Sequence, residues 1–209
     1  MINLMALKAE ISAINPDVRL IAVSKNVDID KVLALNAQGQ LEYGENRVQE
    51  MARKQSLINQ SLNLKWHMIG RLQNNKINQL ISLRPTLWQS CESIEKAKAV
   101  DKRLNYKLDT LLQINSANED TKQGVMVNDA IQIYDEIMQT CPNLNLIGVM
   151  SIGANSDDMD EIKRSFELTR NIFDKLPNAQ ICSMGMSGDY HIAIKHGSNM
   201  IRLGTMLYA

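Results

Sequence analysis

Short apolar runs alternate with longer stretches of helical periodicity along the whole sequence, and this alternation restricts the fold more than any other feature. The runs fall at residues 19–25, 41–44, 65–69, 87–91, 108–114, 144–150, 180–184 and 200–203. Each but the last precedes a stretch whose apolar residues recur every three or four positions. Asp28 stands as a cap before Ile29, Val32, Leu33 and Ala37. Helices are expected over 46–59 and 72–83, on Ile94, Ala97, Val100 and Leu104, and on Val127, Ile131, Tyr134 and Met138. A strongly periodic one runs through Ile162, Phe166, Thr169, Phe173 and Leu176, with Asp160 and Arg164 paired four apart. Another starts near Ser187. Strands alternating with helices predict a parallel sheet, and this number of them predicts a closed (β/α)8 TIM-type barrel. An extra helix at 4–14, closed by Pro16, precedes the first strand and can take the place of one after the last. The rival architecture, an open doubly wound sheet, favours a glycine-rich turn after its first strand, and residues 25–28 hold no glycine. With 209 residues and no linker or low-complexity stretch, the chain reads as a single barrel domain, 1–209.

Composition enters mainly by exclusion. Lysine plus arginine equals aspartate plus glutamate at 23 each, and no basic run stands out, so no field draws the chain to nucleic acid. No apolar run approaches membrane-spanning length, and the first residues lack the basic segment of a secretory signal. Cys91, Cys141 and Cys182 are odd in number and widely spaced, suiting neither a metal site nor a disulfide framework. A cytoplasmic chain is expected, and a monomer, since no long apolar stripe remains once the helices cover the barrel.

Barrel sites gather at the C-terminal ends of the strands, with phosphate often held after strands seven and eight. At the end of strand one stands Lys25, in Arg19-Leu20-Ile21-Ala22-Val23-Ser24-Lys25. A lysine desolvated by such neighbours exposes a neutral, nucleophilic amine to aldehydes; the alternative is a lysine that snorkels to solvent. After strand seven, Met184-Gly185-Met186-Ser187-Gly188-Asp189 enters a helix, and Ser187 either donates to an anion there or caps the helix. After strand eight, Gly204 allows close backbone approach and Thr205 adds a hydroxyl. Alternation places Met200, Arg202 and Gly204 on one face, so Arg202 points into the barrel and needs a partner: an internal carboxylate or a ligand. Asn46 after strand two either meets a ligand or caps a helix. His67 reads as a hydrogen-bonded core histidine, His191 and His196 are poorly spaced for metal, and Met150 is apolar packing at the end of strand six. No metal site is expected.

The motifs Ala22-Val23-Ser24-Lys25, Tyr43-Gly44-Glu45-Asn46-Arg47-Val48-Gln49-Glu50, and Trp66-His67-Met68-Ile69-Gly70-Arg71-Leu72-Gln73-Asn74-Asn75-Lys76 follow one another in order. Lys122-Gln123-Gly124-Val125, Ser183-Met184-Gly185-Met186-Ser187-Gly188-Asp189 and Ile201-Arg202-Leu203-Gly204-Thr205 complete the set. Together they resemble the pyridoxal phosphate homeostasis protein family (YggS/PROSC type), related to the N-terminal barrel of alanine racemase. The resemblance implies pyridoxal 5'-phosphate as cofactor, held as an internal aldimine on Lys25. It implies phosphate contacts from Ser187, Gly204 and Thr205, Arg202 at the pyridine nitrogen, and Asn46 and Met150 along the ring. The family usually follows its lysine with a Thr-Lys-Pro-like turn, where this chain has Asn26-Val27-Asp28 and ends at Tyr208-Ala209.

The implied function is intracellular cofactor homeostasis, by buffering and by delivery to apo-enzymes, with no catalytic residue of its own. Racemases of this barrel type need a base on the opposite substrate face from an additional domain, and an arginine at the pyridine nitrogen weakens the ring as an electron sink. The alternatives are an amino-acid racemase-like enzyme and a lysine-dependent aldolase acting on sugar phosphates.

Overall fold

A computed structural model describes residues 2–117 and 123–209. Within them the strands are β1 (Arg19–Val23), β2 (Glu42–Glu45), β3 (Lys65–Met68), β4 (Leu87–Cys91) and β5 (Leu108–Asn115). They continue with β6 (Val125–Met126), β7 (Leu144–Ser151), β8 (Ile181–Ser183) and β9 (Met200–Leu203). All pairings are parallel, in the order β4-β3-β2-β1-β9-β8-β7-β5-β6, and β4 also pairs with β5. That last pairing closes an eight-stranded barrel and leaves the two-residue β6 as an appendage on the end of β5. The expected barrel is therefore the observed one.

Between the strands run α1 (Leu4–Ile14), α2 (Ile29–Ala37), α3 (Val48–Leu57), α4 (Ile77–Ser82) and α5 (Ile94–Asp101). α6 (Ala130–Thr140), α7 (Met159–Phe173), α8 (Tyr190–Lys195) and the single turn α9 (Thr205–Tyr208) complete them. α1 buries Leu4, Leu7 and Ile11, and its Glu10 accepts from Tyr190 Oη of α8 at 2.9 Å. The extra helix thus packs beside α8, covering the flank where the barrel's last strand meets its first.

Two apolar layers hold this together. Ile21, Leu87, Leu111, Met150, Ile181 and Met200 fill the lumen, and the alternate residues, such as Leu20, Ala22, Tyr43 and Leu203, face the helices. Gly148 in β7 shows how tightly β7 and β8 run together. Its φ of 150° is unfavourable to side chains, and a Cβ there would lie 1.9 Å from the carbonyl oxygen of Ile181.

Several local expectations are corrected. Asp28 occupies the N-cap position of α2 but makes no side-chain capping bond. The helix expected over 72–83 divides into a 3-10 turn, Asn74–Lys76, and α4. Val127 lies in the turn before α6, so that helix is phased to bury Ala130, Tyr134 and Ile137 and leaves Met138 exposed. Asp160 pairs with Lys163 at 3.0 Å, one position earlier than the Arg164 expected. β2 runs from Glu42 to Glu45, one residue later than expected, with Leu41 exposed before it and Tyr43 and Glu45 buried. Among the described residues no helix is long and apolar enough to cross a membrane.

Candidate functional site

The lysine strand ends two residues short of its lysine. β1 stops at Val23, Ser24 is fully buried, and the Val27 N–H donates to Ser24 O at 3.0 Å, closing a turn in which Asn26 has φ 57°. This turn lifts Lys25 to the rim, where it is exposed. The expectation of a desolvated Lys25 is thus overturned: its amine stands in water at the barrel mouth. The lysine that is buried is Lys54 of α3, which donates to Glu45 Oε1 and to Ser24 O beneath the turn. Ser24 Oγ donates to the same Glu45 oxygen at 2.6 Å. Sequence reasoning passed over this group, although Val48, Met51 and Lys54 share the three-residue spacing of one buried helix face.

Across the mouth, the loops after β8 and β9 are bonded to each other. The Gly204 N–H donates to Ser187 Oγ at 3.3 Å, and the Arg202 N–H donates to Gly185 O at 3.0 Å. Ser187 is exposed and does not cap α8, whose N-cap position belongs to Asp189; the Asp189 carboxylate accepts instead from the Met186 N–H at 2.6 Å. Thr205 is exposed at the first position of α9. Parallel pairing of β9 with β1 places this cradle beside the lysine strand: a Cβ on Gly204 would lie 3.6 Å from Val23, two residues before Lys25. Fold pairing, not chain proximity, brings residues 187, 204 and 205 to residue 25.

Arg202 is buried beneath the cradle. Its guanidinium donates to Ser183 O at 3.0 Å, Ser183 Oγ at 2.7 Å and Ser151 O at 2.8 Å, so its partners are carbonyls and a hydroxyl and not the carboxylate weighed from sequence. Burial lowers its pKa to about 10, which still leaves it cationic at neutral pH. The hydrogen bonds continue across the lumen. Ser183 Oγ donates to Gln89 Oε1 at 2.8 Å, and Gln89 Nε2 lies 3.0 Å from His67 Nδ1. Gln89, a single glutamine inside a strand, carries no motif, and Ser183 stands in the sequence only as the first residue of the motif 183–189, with no role assigned to it.

Asn46 follows β2 and is half-buried, but the N-cap position of α3 falls on Arg47, so Asn46 does not serve as the cap. Gly70 makes room for it: a Cβ there would stand 2.4 Å from Asn46 O. Met150 lies within the lumen layer with Ile21 and Met200, where it can form floor and not wall. His67 is the core histidine expected. Burial pushes its pKa down to about 4, so it stays neutral. Because the folded value lies below the unfolded value near 6.5, the unfolded chain binds the extra proton between those limits. Stability at this residue is complete above about pH 6.5 and is lost as pH falls toward 4. Denaturant unfolding should show a loss of about 2 kcal/mol between pH 7.5 and 5, and His67→Gln should remove that difference. An undiminished acid loss in the variant would assign it to other groups.

The chain matches the family described as alanine racemase, N-terminal domain, over residues 2–209. It is 44% identical over 194 residues to the pyridoxal phosphate homeostasis protein of Helicobacter pylori (strain ATCC 700392 / 26695), covering 91% of this chain and 87% of that one. The chain belongs to the pyridoxal phosphate homeostasis protein family. The human pyridoxal phosphate homeostasis protein is 33% identical over 218 residues, covering 95% of this chain and 78% of its own. Among solved structures, PipY of Synechococcus elongatus PCC7942 with PLP bound is similar at a TM-score of 0.88 and 28% identity, covering 99% and 98% of the two chains. An alanine racemase of Clostridium difficile 630, at 16% identity and a TM-score of 0.76 over 56% of its length, shares the fold. In this member of the pyridoxal phosphate homeostasis protein family, Lys25, Asn46, Ser187, Gly204 and Thr205 lie at the C-terminal ends of the strands, above Met150 and Arg202. Of the motif 122–125, Lys122 lies outside the described residues.

Proposed function

We propose that this chain binds pyridoxal 5'-phosphate and takes part in keeping the cofactor at a controlled level in the cytoplasm, by holding it reversibly and passing it to apo-enzymes. The observation that carries the reading is Lys25, exposed at the mouth beside the bonded Ser187–Gly204 cradle, with the guanidinium of Arg202 buried beneath that cradle. These residues fit the cofactor. Ser187, Thr205 and the backbone at Gly204 suit a phosphate, the cation of Arg202 suits an unprotonated ring nitrogen, and Asn46 and Met150 stand beside and beneath the space for a flat ring. The cofactor supplies an aldehyde. Lys25 would hold it through its amine, across the mouth from the phosphate contacts at Ser187, Gly204 and Thr205.

Exposure of Lys25 favours holding over turnover. Water and competing amines reach this position, so the bond formed there is exchangeable, as buffering requires. Arg202 discourages protonation of the ring nitrogen and so withholds the electron sink that carbon-acid chemistry needs. The reading treats the chain as one cofactor-binding unit acting as a monomer.

Purified protein incubated with the cofactor should show a visible absorption band, and borohydride trapping should place the label on the peptide containing residue 25. A label elsewhere refutes the reading. Incubation of the loaded protein with several L-amino acids should yield no D-isomers beyond the free-cofactor rate, and steady turnover would replace the carrier with a racemase.

A further inference from the structure

Directly under the turn that carries Lys25 lies an ion pair removed from solvent. Lys54 and Glu45 are both fully buried, and each is bonded to Ser24: Lys54 donates to the Ser24 carbonyl, and Glu45 accepts from the Ser24 hydroxyl at 2.6 Å. The carbonyl that Lys54 grips is also the acceptor of the turn's closing bond from Val27. The pair therefore holds both ends of Ser24, the residue joined to Lys25. It sits between the barrel wall and α3, outside the lumen, with Tyr43 and Tyr208 as its titratable neighbours.

Among the described residues Glu45 Oε2 is buried with no hydrogen-bond partner, and so is Tyr208 Oη, which lies within electrostatic reach of Glu45. Tyr208 ends the turn of helix that Thr205 begins, so this buried group touches the supports of both the lysine and the cradle. Burying two charges costs several kcal/mol that apolar residues would avoid, so a pair in this place calls for a role other than stability.

We propose that Glu45 and Lys54 are the positioning residues of the lysine site: together they pin Ser24 by its hydroxyl and its carbonyl and so fix the turn that carries Lys25. The inference rests on the assignment of Lys25 as the residue that takes up the cofactor. Pinning matters because the lysine can meet an aldehyde held by the cradle only if the turn beneath it keeps one geometry.

Each half of the pair grips Ser24 through a different atom, so each has its own signature. At one pH near neutral, with the full-length chain and pyridoxal phosphate, the visible band should grow about threefold more slowly in Lys54→Met and in Glu45→Ala, and Glu45→Gln, whose amide oxygen can still accept from Ser24, should recover most of the Glu45→Ala loss. Thermal unfolding followed by circular dichroism shows whether each variant is folded. Where Lys54→Met alone does not fold, the double variant Glu45→Gln/Lys54→Met, which buries no charge, carries the test: losing the grip on Ser24 should slow the band about threefold. A folded Lys54→Met or double variant at the wild-type rate, or no recovery in Glu45→Gln over Glu45→Ala, overturns the inference while borohydride labelling of wild type at residue 25 stands. Wild-type label on another residue overturns the cofactor reading first, and this inference with it.

Discussion

Lys25→Ala should abolish the visible band and the borohydride-trapped label while leaving unfolding almost unchanged. The amine is the only group the substitution removes from the proposed site, and the side chain is exposed, so no packing is lost with it. Surface changes of this kind stay within about 0.5 kcal/mol. The phosphate cradle is untouched: Ser187 and Gly204 are bonded to each other and not to Lys25. The variant should therefore still bind the cofactor, but weakly and without the covalent signature. Equilibrium dialysis with the cofactor, alongside the spectrum and a denaturant melt, separates the outcomes. A band that persists in folded Lys25→Ala removes the residue from its assigned place.

Arg202→Met should cost both stability and cofactor. In the wild type one guanidinium satisfies Ser183 O, Ser183 Oγ and Ser151 O on two neighbouring strands. Methionine fills a similar volume but donates nothing, so two buried carbonyls lose their donors at about 1–3 kcal/mol each. Among the described residues no carboxylate is ion-paired with it, though Asp189 lies within its field, and relief of its own desolvation offsets part of the loss. A net destabilisation of about 3 kcal/mol is expected, measured by denaturant unfolding at pH 7.5, where His67 is neutral in both variants. The cofactor should also dissociate faster, since the cation proposed to face the ring is gone. Wild-type stability would show that water takes over the three bonds. Wild-type retention would place the ring elsewhere.

Much of the fold was legible because its signals are local. The strands are short apolar runs whose alternate residues divide between lumen and helix layer, and α7 follows from Ile162, Phe166, Thr169 and Phe173, of which Phe166 and Thr169 are buried, with Ile172 buried where Phe173 is expected. Phase was harder to read. Val127 looked like the first residue of a helical stripe because periodicity does not say where a helix starts, and the turn before Ala130 rotated the buried face away from Met138. The site residues came from strand ends and turn chemistry, and Lys25, Ser187, Gly204 and Thr205 do lie at one mouth. Their surroundings were misjudged. The apolar strand before Lys25 points to a desolvated lysine, yet that strand ends at Val23 and the turn at Asn26 leaves Lys25 exposed.

Alternation of apolar runs and amphipathic helices determined from sequence alone that this chain closes a parallel barrel, because period and order are properties of neighbouring residues. Which lysine is buried and which is exposed was decided only in three dimensions. Lys54 pairs with Glu45 across nine residues and with Ser24 across thirty, and the 204 loop meets Val23 through a strand pairing that spans nearly the whole chain. Desolvation depends on every atom packed around a charge, and most of those atoms belong to residues distant in sequence.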